Sequence, residues 1–371
     1  MINRGERWDI SKKYGFLALI SAVLVLAAAC IPAVTPSPTA VPTSVAKGGT
    51  IASPVPTVAP KPTATPTKRL LDKVNLAFAS GSPSLVFPNA VAKEQGYYEQ
   101  EGLDVEFVQV GAAISIKALI AGSHDFDTAV GSGVVAIIQG ASLRVILASL
   151  TKAPWFIYAK PEIKSIAELK GKKIAVPTIG SALDVAAGVV LKKHGLDYKN
   201  DVIWVATGGG AAWGESLEAG IVDAGIFNSD VVLRLREKGF RELSVIGDEV
   251  AYVGGGLVAT EKTVKERPDL VLRMVRASLK GLKYFQQRGE EMAQYYAKTL
   301  NMEPAKAKQL YELDRRTKNQ DGIADEATIK ENMARQKESL GTDTDIPLDK
   351  VFDMSFAKRA NEELKQEGWK P

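Results

Sequence analysis

Two segments of this chain repeat one order of events, and that repetition restricts the fold more than any other feature. In the first, an apolar strand pattern over 74–79 runs into the polar loop 80–84, and a helical pattern through Val91 to Gln95 stops at Gly96. Gly102 then introduces a strand over 104–108, Gly111 opens a second helix ending at Gly122, and a short strand over 127–130 leads into Gly131, Ser132 and Gly133. The second segment starts with a strand over 174–176 and a small-residue loop over 178–181. Its helix stops at Gly195, a strand follows over 202–205, and glycines 208–210 open a helix that ends at Gly220. A strand over 223–227 then leads into Asn228 and Ser229. Each copy reads βαβαβ, and such alternation predicts an α/β fold with parallel-type sheets. Right-handed crossovers bring all the strand C-terminal ends, with their small-residue loops, to one edge of each sheet. Open parallel sheets bind ligands at that edge. Two such sheets predict two lobes with polar edges facing a cleft.

The stretch 172–196 shows the local logic. Leu183, Ala186, Ala187, Val190 and Leu191 recur at helical spacing, Ser181 stands at the N-cap position, and Lys192, Lys193 and Gly195 close the helix. The first N–H groups of such a helix can hold an anion or polar group without a charged side chain. On its own the unit is an ordinary βα turn; as the opening loop of a second lobe it is half of a cleft. Further strands are expected over 143–147, 155–159, 243–246 and 252–259, the last with a glycine run at 254–256. Helices are expected over 267–288, 290–300, 304–314, 325–339 and 352–364.

Ahead of this lies a different kind of sequence. Residues 1–30 have a basic end (Arg4, Arg7, Lys12, Lys13), an apolar run over 16–29 and then Cys30, the pattern of an export signal. At roughly 14 residues the run is shorter than the about 20 a spanning helix needs. The sequence LAAAC resembles a bacterial lipoprotein processing site, which implies lipidation of Cys30 and a membrane anchor, although Leu26 stands one place farther from the cysteine than the usual pattern has it. Residues 31–71 read as a spacer: nine of the 18 prolines and eight threonines fall within 31–68, with no acidic residue to break the run. The first 71 residues carry a net charge of +6 out of +4 for the whole chain, which leaves 72–371 at −2. A mildly acidic core with no basic block is a poor phosphate-backbone binder, so no nucleic-acid partner is expected. One cysteine and two histidines, His124 and His194, exclude a disulfide and give no basis for a cysteine-held metal or a cofactor.

Taken in order, AKEQGYYEQEGLDVEFV, ALIAGSHDFDTAVG, IKSIAELKGKKIAVPTIGS, LEAGIVDAGIF and ATEKTVKERPDLVLRMVRASLKG resemble the solute-binding proteins of ABC importers. The likeness is to the nitrate, sulfonate, taurine and thiamine-precursor branch. It implies a two-lobed periplasmic-binding-protein fold of type II, with lobe I from 72–158 plus 256–371 and lobe II from 159–255. Strands near 155–160 and 252–256 would form the hinge, where the glycine run serves either rotation or close backbone approach.

Carried over position by position, the resemblance implies ligand contacts from Ser82, Pro83 and Ser84, from Gly111, Ala112 and Ala113, and from Gly131, Ser132 and Gly133. Lys152 and Trp155 would contribute from the crossing. Lobe II would add Thr178, Gly180, Ser181, Gly209, Gly210, Trp213, Phe227 and Asn228, with Trp213 overhanging its loop. Asp127 and Asp223 read as equivalent positions in the duplication, starting a strand or capping a neighbour, and Glu215 as a partner of its helix dipole. No arginine falls in the candidate loops; Arg144, in an expected strand, is the nearest. That leaves neutral or zwitterionic aromatic ligands open beside sulfonate, nitrate, carboxylate or pyrimidine-like ones. The implied protein is a monomeric, lipid-anchored, extracytoplasmic component that delivers a small solute to an ABC permease and its ATPase subunits. No Ser/His/Asp arrangement is legible, and no enzymatic activity is expected. Thiamine-pyrimidine synthases are similar to the family but need a cysteine motif, and hydroxymethylbilane synthase needs a cysteine to tether its cofactor; both readings fail on Cys30 alone. A sensor presenting its ligand-bound form to a membrane kinase is the other alternative.

Overall fold

Among the described residues, ten strands form two five-stranded sheets. The computed structural model describes residues 70–371 except 80–82, 111, 180–181 and 209–210. The expected leader, Cys30 and nearly all of the spacer lie outside the described residues. The first sheet holds β1 (Asp72–Ala79), β2 (Leu103–Val110), β3 (Phe126–Asp127), β4 (Leu143–Lys152) and, from much later in the chain, β10 (Ala251–Thr260). The second holds β5 (Phe156–Ala159), β6 (Lys173–Val176), β7 (Ile203–Ala206), β8 (Ala224–Phe227) and β9 (Arg241–Val245). Their orders are β2-β1-β3-β10-β4 and β7-β6-β8-β5-β9.

The duplication is visible strand for strand. β1 pairs in parallel with β2 and β3, and β6 pairs in parallel with β7 and β8. Neither sheet is wholly parallel, however. β10 runs antiparallel to β3 and β4, and β5 runs antiparallel to β8 and β9. The reason is geometric. A strand that enters a sheet at the edge where its parallel strands end must run against them, and both inserted strands do so.

Sheet membership changes at 153–155 and again at 246–250, since Phe156–Ala159 belongs to the second sheet and Ala251–Thr260 to the first. The crossing thus lies a few residues before each of the two segments expected as the hinge. A third segment joins it: Asn319 donates its N–H to the Ser149 carbonyl at 3.0 Å and Lys152 donates to the Thr317 carbonyl at 3.4 Å. The glycine run meets the close-approach reading. A Cβ on Gly256, whose φ is +150°, would fall 1.9 Å from the Leu147 carbonyl oxygen, and one on Gly254 would enter the ring of Tyr252.

Packing follows the apolar patterns. The Pro268–Gln287 helix lays Leu270, Val271, Met274, Val275 and Leu282 against Val74, Leu76, Val105 and Phe126 of the first sheet. β5 is buried on both faces, Ile157 in one core cluster of the second lobe and Phe156 and Tyr158 in the other. A strand covered by helices on both sides shows no alternation of polarity, as its sequence FIYA shows.

Candidate functional site

Strand directions alone bring the two polar edges together. β4 is antiparallel to β10, which is antiparallel to β3, so β4 runs with β1–β3 and leaves the first sheet at their C-terminal edge. It delivers the chain to β5, whose first residue, Phe156, pairs with Phe227 at the C-terminal end of β8. β9 runs with β8 and likewise leaves at that edge before the chain returns to β10. Both crossings therefore join the C-terminal edge of one sheet to the C-terminal edge of the other. The strand ends Ala79, Val110, Val176 and Ala206, after which the candidate loops come, all lie along these edges.

Of the residues expected to meet a ligand, Ser82, Gly111, Gly180, Ser181, Gly209 and Gly210 lie outside the described residues. So do the side chains of Pro83, Ser84, Ala112 and Ala113. Thr178 is exposed after β6, and Asn228 is half-buried just ahead of the Ser229–Glu237 helix. Gly131, Ser132 and Gly133 form no loop; they fall in the first turn of the Val130–Ile138 helix, with Ser132 exposed. The strand expected to precede them is only Phe126–Asp127, because Asp127 turns the chain by accepting the Ala129 N–H at 2.8 Å. Gly133 lets that helix close on β10, where a Cβ would stand 2.9 Å from a Val258 methyl.

The aromatic candidates divide. Trp213 does not overhang its loop: it is 4% exposed in the core of the second lobe, its ring centroid 5.4 Å from that of fully buried Phe227. Trp155 stands at the crossing itself, edge-on to Tyr252 of β10 at 5.0 Å. Tyr252 is the residue that sequence reasoning passed over. Its ring covers Gly254, and its hydroxyl lies 3.4 Å from where a Cβ on Gly131 would be, so it joins the crossing to the start of the Val130–Ile138 helix. Burial pushes its phenol pKa up, with the Arg335 charge acting against that rise. The available signal was an aromatic one residue ahead of a glycine run. Lys152 is exposed and pairs with Asp248 at 3.2 Å, across the two lobes.

Three further expectations change. Asp223 accepts the Lys173 N–H at 3.1 Å, and its counterpart in the first lobe is Asp125, which accepts the Asn75 N–H at 2.8 Å, not Asp127. Asp127 belongs to a buried Ser115–Asp127–His124 group that the sequence did not reveal. Its Oδ2 accepts from Ser115 and lies 3.1 Å from His124 Nε2, so the carboxylate stands between the hydroxyl and the imidazole. In a hydrolytic triad the imidazole holds the middle place, and here nothing positions it to take the serine proton. Arg144 pairs with Glu261, at the end of β4 away from the crossing. Among the described residues there is no cluster of His, Cys, Asp and Glu that could hold a metal ion, and no helix long and apolar enough to cross a membrane.

Comparison with known proteins gives one family. The family model described as NMT1/THI5 like matches residues 86–292. A Brucella abortus protein described as a binding protein is 26% identical over 246 residues, which span 65% of this chain and 74% of the relative. Among solved structures, a periplasmic sulfonate-binding protein from Methylobacillus flagellatus aligns with a TM-score of 0.64 at 22% identity, over 82% of this chain and 98% of that one. The periplasmic nitrate-binding protein of Synechocystis aligns at 0.58 and 15% identity, over 80% and 89%. A desulfurization enzyme shares the fold as well, at 0.57 and 13%, over 79% and 99%.

Proposed function

The chain belongs to the NMT1/THI5-like family, and from that premise we propose that it is the solute-binding component of an ABC uptake system. It captures a small molecule between its two lobes outside the cytoplasm and hands it to a membrane permease driven by ATPase subunits. The observation that carries this reading is the joining of the two C-terminal edges by two chain crossings, with residues 317–319 bonded alongside one of them. Such a joint permits lobe rotation, and the edges it joins are those at which open parallel sheets hold ligands. Thr178, Asn228 and Trp155 remain proposed contacts, joined now by Tyr252; Trp213 and Phe227 would act from beneath, as the floor on which a contact surface rests. Closure requires no chemistry, in keeping with the order of the Ser115, Asp127 and His124 side chains. Cys30 as a lipid-bearing residue, and residues 31–71 as the spacer from the membrane, complete the proposal.

Native mass spectrometry of the full chain, freshly purified in mild detergent, is expected to show a co-purified small molecule. After that ligand is removed, its return at 100 times its Kd should stabilise the fold by about 2.7 kcal/mol. A folded protein that carries no solute, and whose melting temperature is unmoved by sulfonates, carboxylates, nitrate and pyrimidines, would remove the binding role.

A further inference from the structure

Two buried side chains beside the crossing carry donors with nothing to donate to. Asn332 and Arg335 lie on the Glu326–Leu340 helix, which packs on β10. The Asn332 side-chain oxygen accepts from the Val253 N–H at 3.2 Å and from Arg335 Nη2 at 3.0 Å. Two donors on one atom fix which end of the amide is oxygen, so Nδ2 points elsewhere and can only donate. Asn332 is fully buried, and its Nδ2 has no acceptor among the described residues. Nη1 of Arg335 has none either, although that side chain is only 10% exposed. The nearest carboxylate, Glu331, stands 4.0 Å from Nη1, beyond hydrogen-bonding range, and its oxygen already accepts the Ala251 N–H. Burial pushes the guanidinium pKa down against the pull of Glu331 and Tyr252, as expected of a cation short of counter-charge.

Native proteins leave few buried donors unpaired, and a charged one least of all. These two lie against the end of β10 nearest the crossing, where the Val253 N–H donates to Asn332. The Arg335 charge is felt at Tyr252, whose ring meets Trp155 and whose hydroxyl lies over Gly131 in the first turn of a nine-residue helix. The first N–H groups of that helix add positive potential on the same side.

We propose that Arg335 and Asn332 form an oxyanion subsite, in which a carboxylate or sulfonate group of the solute supplies the acceptor that Nη1 and Nδ2 lack. The proposal rests on the solute-binding reading and deepens it: the arginine missing from the duplicated loops comes from a helix nearly 200 residues later in the chain than Gly131 and Ser132. A planar guanidinium edge with an amide beside it suits two oxygens of one group. A neutral ligand could offer at most a carbonyl or hydroxyl oxygen and would leave the guanidinium without counter-charge.

The test uses the full chain and four probes: benzoate, benzenesulfonate, benzamide and benzyl alcohol. Binding is followed by tryptophan fluorescence and melting temperature. The two anions are expected to bind at least tenfold more tightly than the two neutral probes, and the better anion tells carboxylate from sulfonate. Arg335→Met should abolish that preference while melting no lower than the parent without ligand, because it removes a buried, under-paired cation. Arg335→Lys, which keeps the charge and serves if the methionine variant does not fold, should retain part of the preference. Benzamide or benzyl alcohol binding as well as the anions would overturn the subsite and leave the binding role standing, as would an unchanged anion preference in Arg335→Met. No response to any probe, with no co-purified solute, would remove both.

Discussion

The two sheets have the same strand order, yet they bury different things. In register they match closely, Leu76 opposite Phe126 in the first and Ile174 opposite Ala224 in the second. The first lobe nevertheless holds charge inside. Glu101, 9% exposed, accepts from Arg276 at 2.9 Å and from Lys280 at 2.5 Å, both on the Pro268–Gln287 helix. The second lobe draws nearly all of its core from its own segment, with Leu313 the one buried residue that later chain adds: Ile174, Val190, Leu191 and Ile226 lie on one face, Phe156, Trp213 and Phe227 on the other. Among the described residues of 156–250, Asp184 alone is a buried charge. One topology is thus stabilised in two ways. The first lobe depends on a helix that arrives about 170 residues after the strand it covers, and the ionic cluster fixes how that helix seats. The second is built mostly from chain that is already adjacent, with Leu313 and Asp314 the later additions.

The largest expected effect tests that contrast directly. Glu101→Gln leaves Lys280 buried beside a neutral amide, while Arg276 keeps Glu363 at 2.7 Å and Glu367 at 2.9 Å; breaking a buried pair from one side costs about 3–5 kcal/mol. Urea denaturation of the variant should show that loss. A loss below about 1 kcal/mol would mean the cluster is solvated, and the contrast between the lobes would dissolve.

A smaller effect is expected where the lobes touch. Ser229, at the start of a second-lobe helix, donates to Asp314 at 2.6 Å, and Asp314 also accepts from Tyr296 at 2.9 Å within the first lobe. Both Ser229 and Asp314 are buried. Ser229→Ala should cost about 1.5–3 kcal/mol, the range for hydrogen bonds to charged groups. If it costs nothing, the two lobes are not coupled there, and differential scanning calorimetry of the variant should look like that of the parent.

How much of this was legible depends on the range of the interactions involved. The βαβαβ repeat, the helix stops at Gly96, Gly122, Gly195 and Gly220, and the long Pro268–Gln287 helix are written locally, in spacing and in glycines that take positive φ. The direction of β5 and β10 was not legible, because it is set by the edge at which the chain re-enters a sheet and not by the residues of either strand. Trp213 failed as an exposed aromatic because its neighbours Phe156 and Phe227 come from strands about 57 and 14 residues away and close over it. Arg335 and Asn332 carry no local mark at all. They read as ordinary positions on an amphipathic helix until β10 is laid against them. Asp125 was missed for a subtler reason: two aspartates stand two apart in SHDFD, and only the pairing of β3 with β1 shows which one matches Asp223.

That pair yields the smallest predicted effect and the sharpest test of the duplication. Asp125 and Asp223 each accept the N–H of the residue next to, or at, the start of pairing in the central strand, Asn75 at 2.8 Å and Lys173 at 3.1 Å. Asp125→Asn and Asp223→Asn should therefore each cost about 1 kcal/mol, because an amide oxygen accepts the strand N–H less strongly than a carboxylate does, and the part-exposed Lys160 pair adds little at Asp223. Their acid behaviour should be informative at Asp223, which also binds Lys160 at 2.8 Å. Burial there works to raise the carboxyl pKa, but the Lys160 and Lys173 hydrogen bonds outweigh it and hold the pKa below the ordinary 3.8. A carboxylate with a depressed folded-state pKa contributes stability that is complete above its unfolded value and is lost as pH falls through the folded one. The parent should thus lose this contribution below about pH 4, whereas Asp223→Asn, having already lost it, should show a shallower decline in the same window. Equal costs at neutral pH would mark the two aspartates as one device used twice; a cost at only one of them would show that the duplicated backbone has kept the geometry and let the energetics diverge.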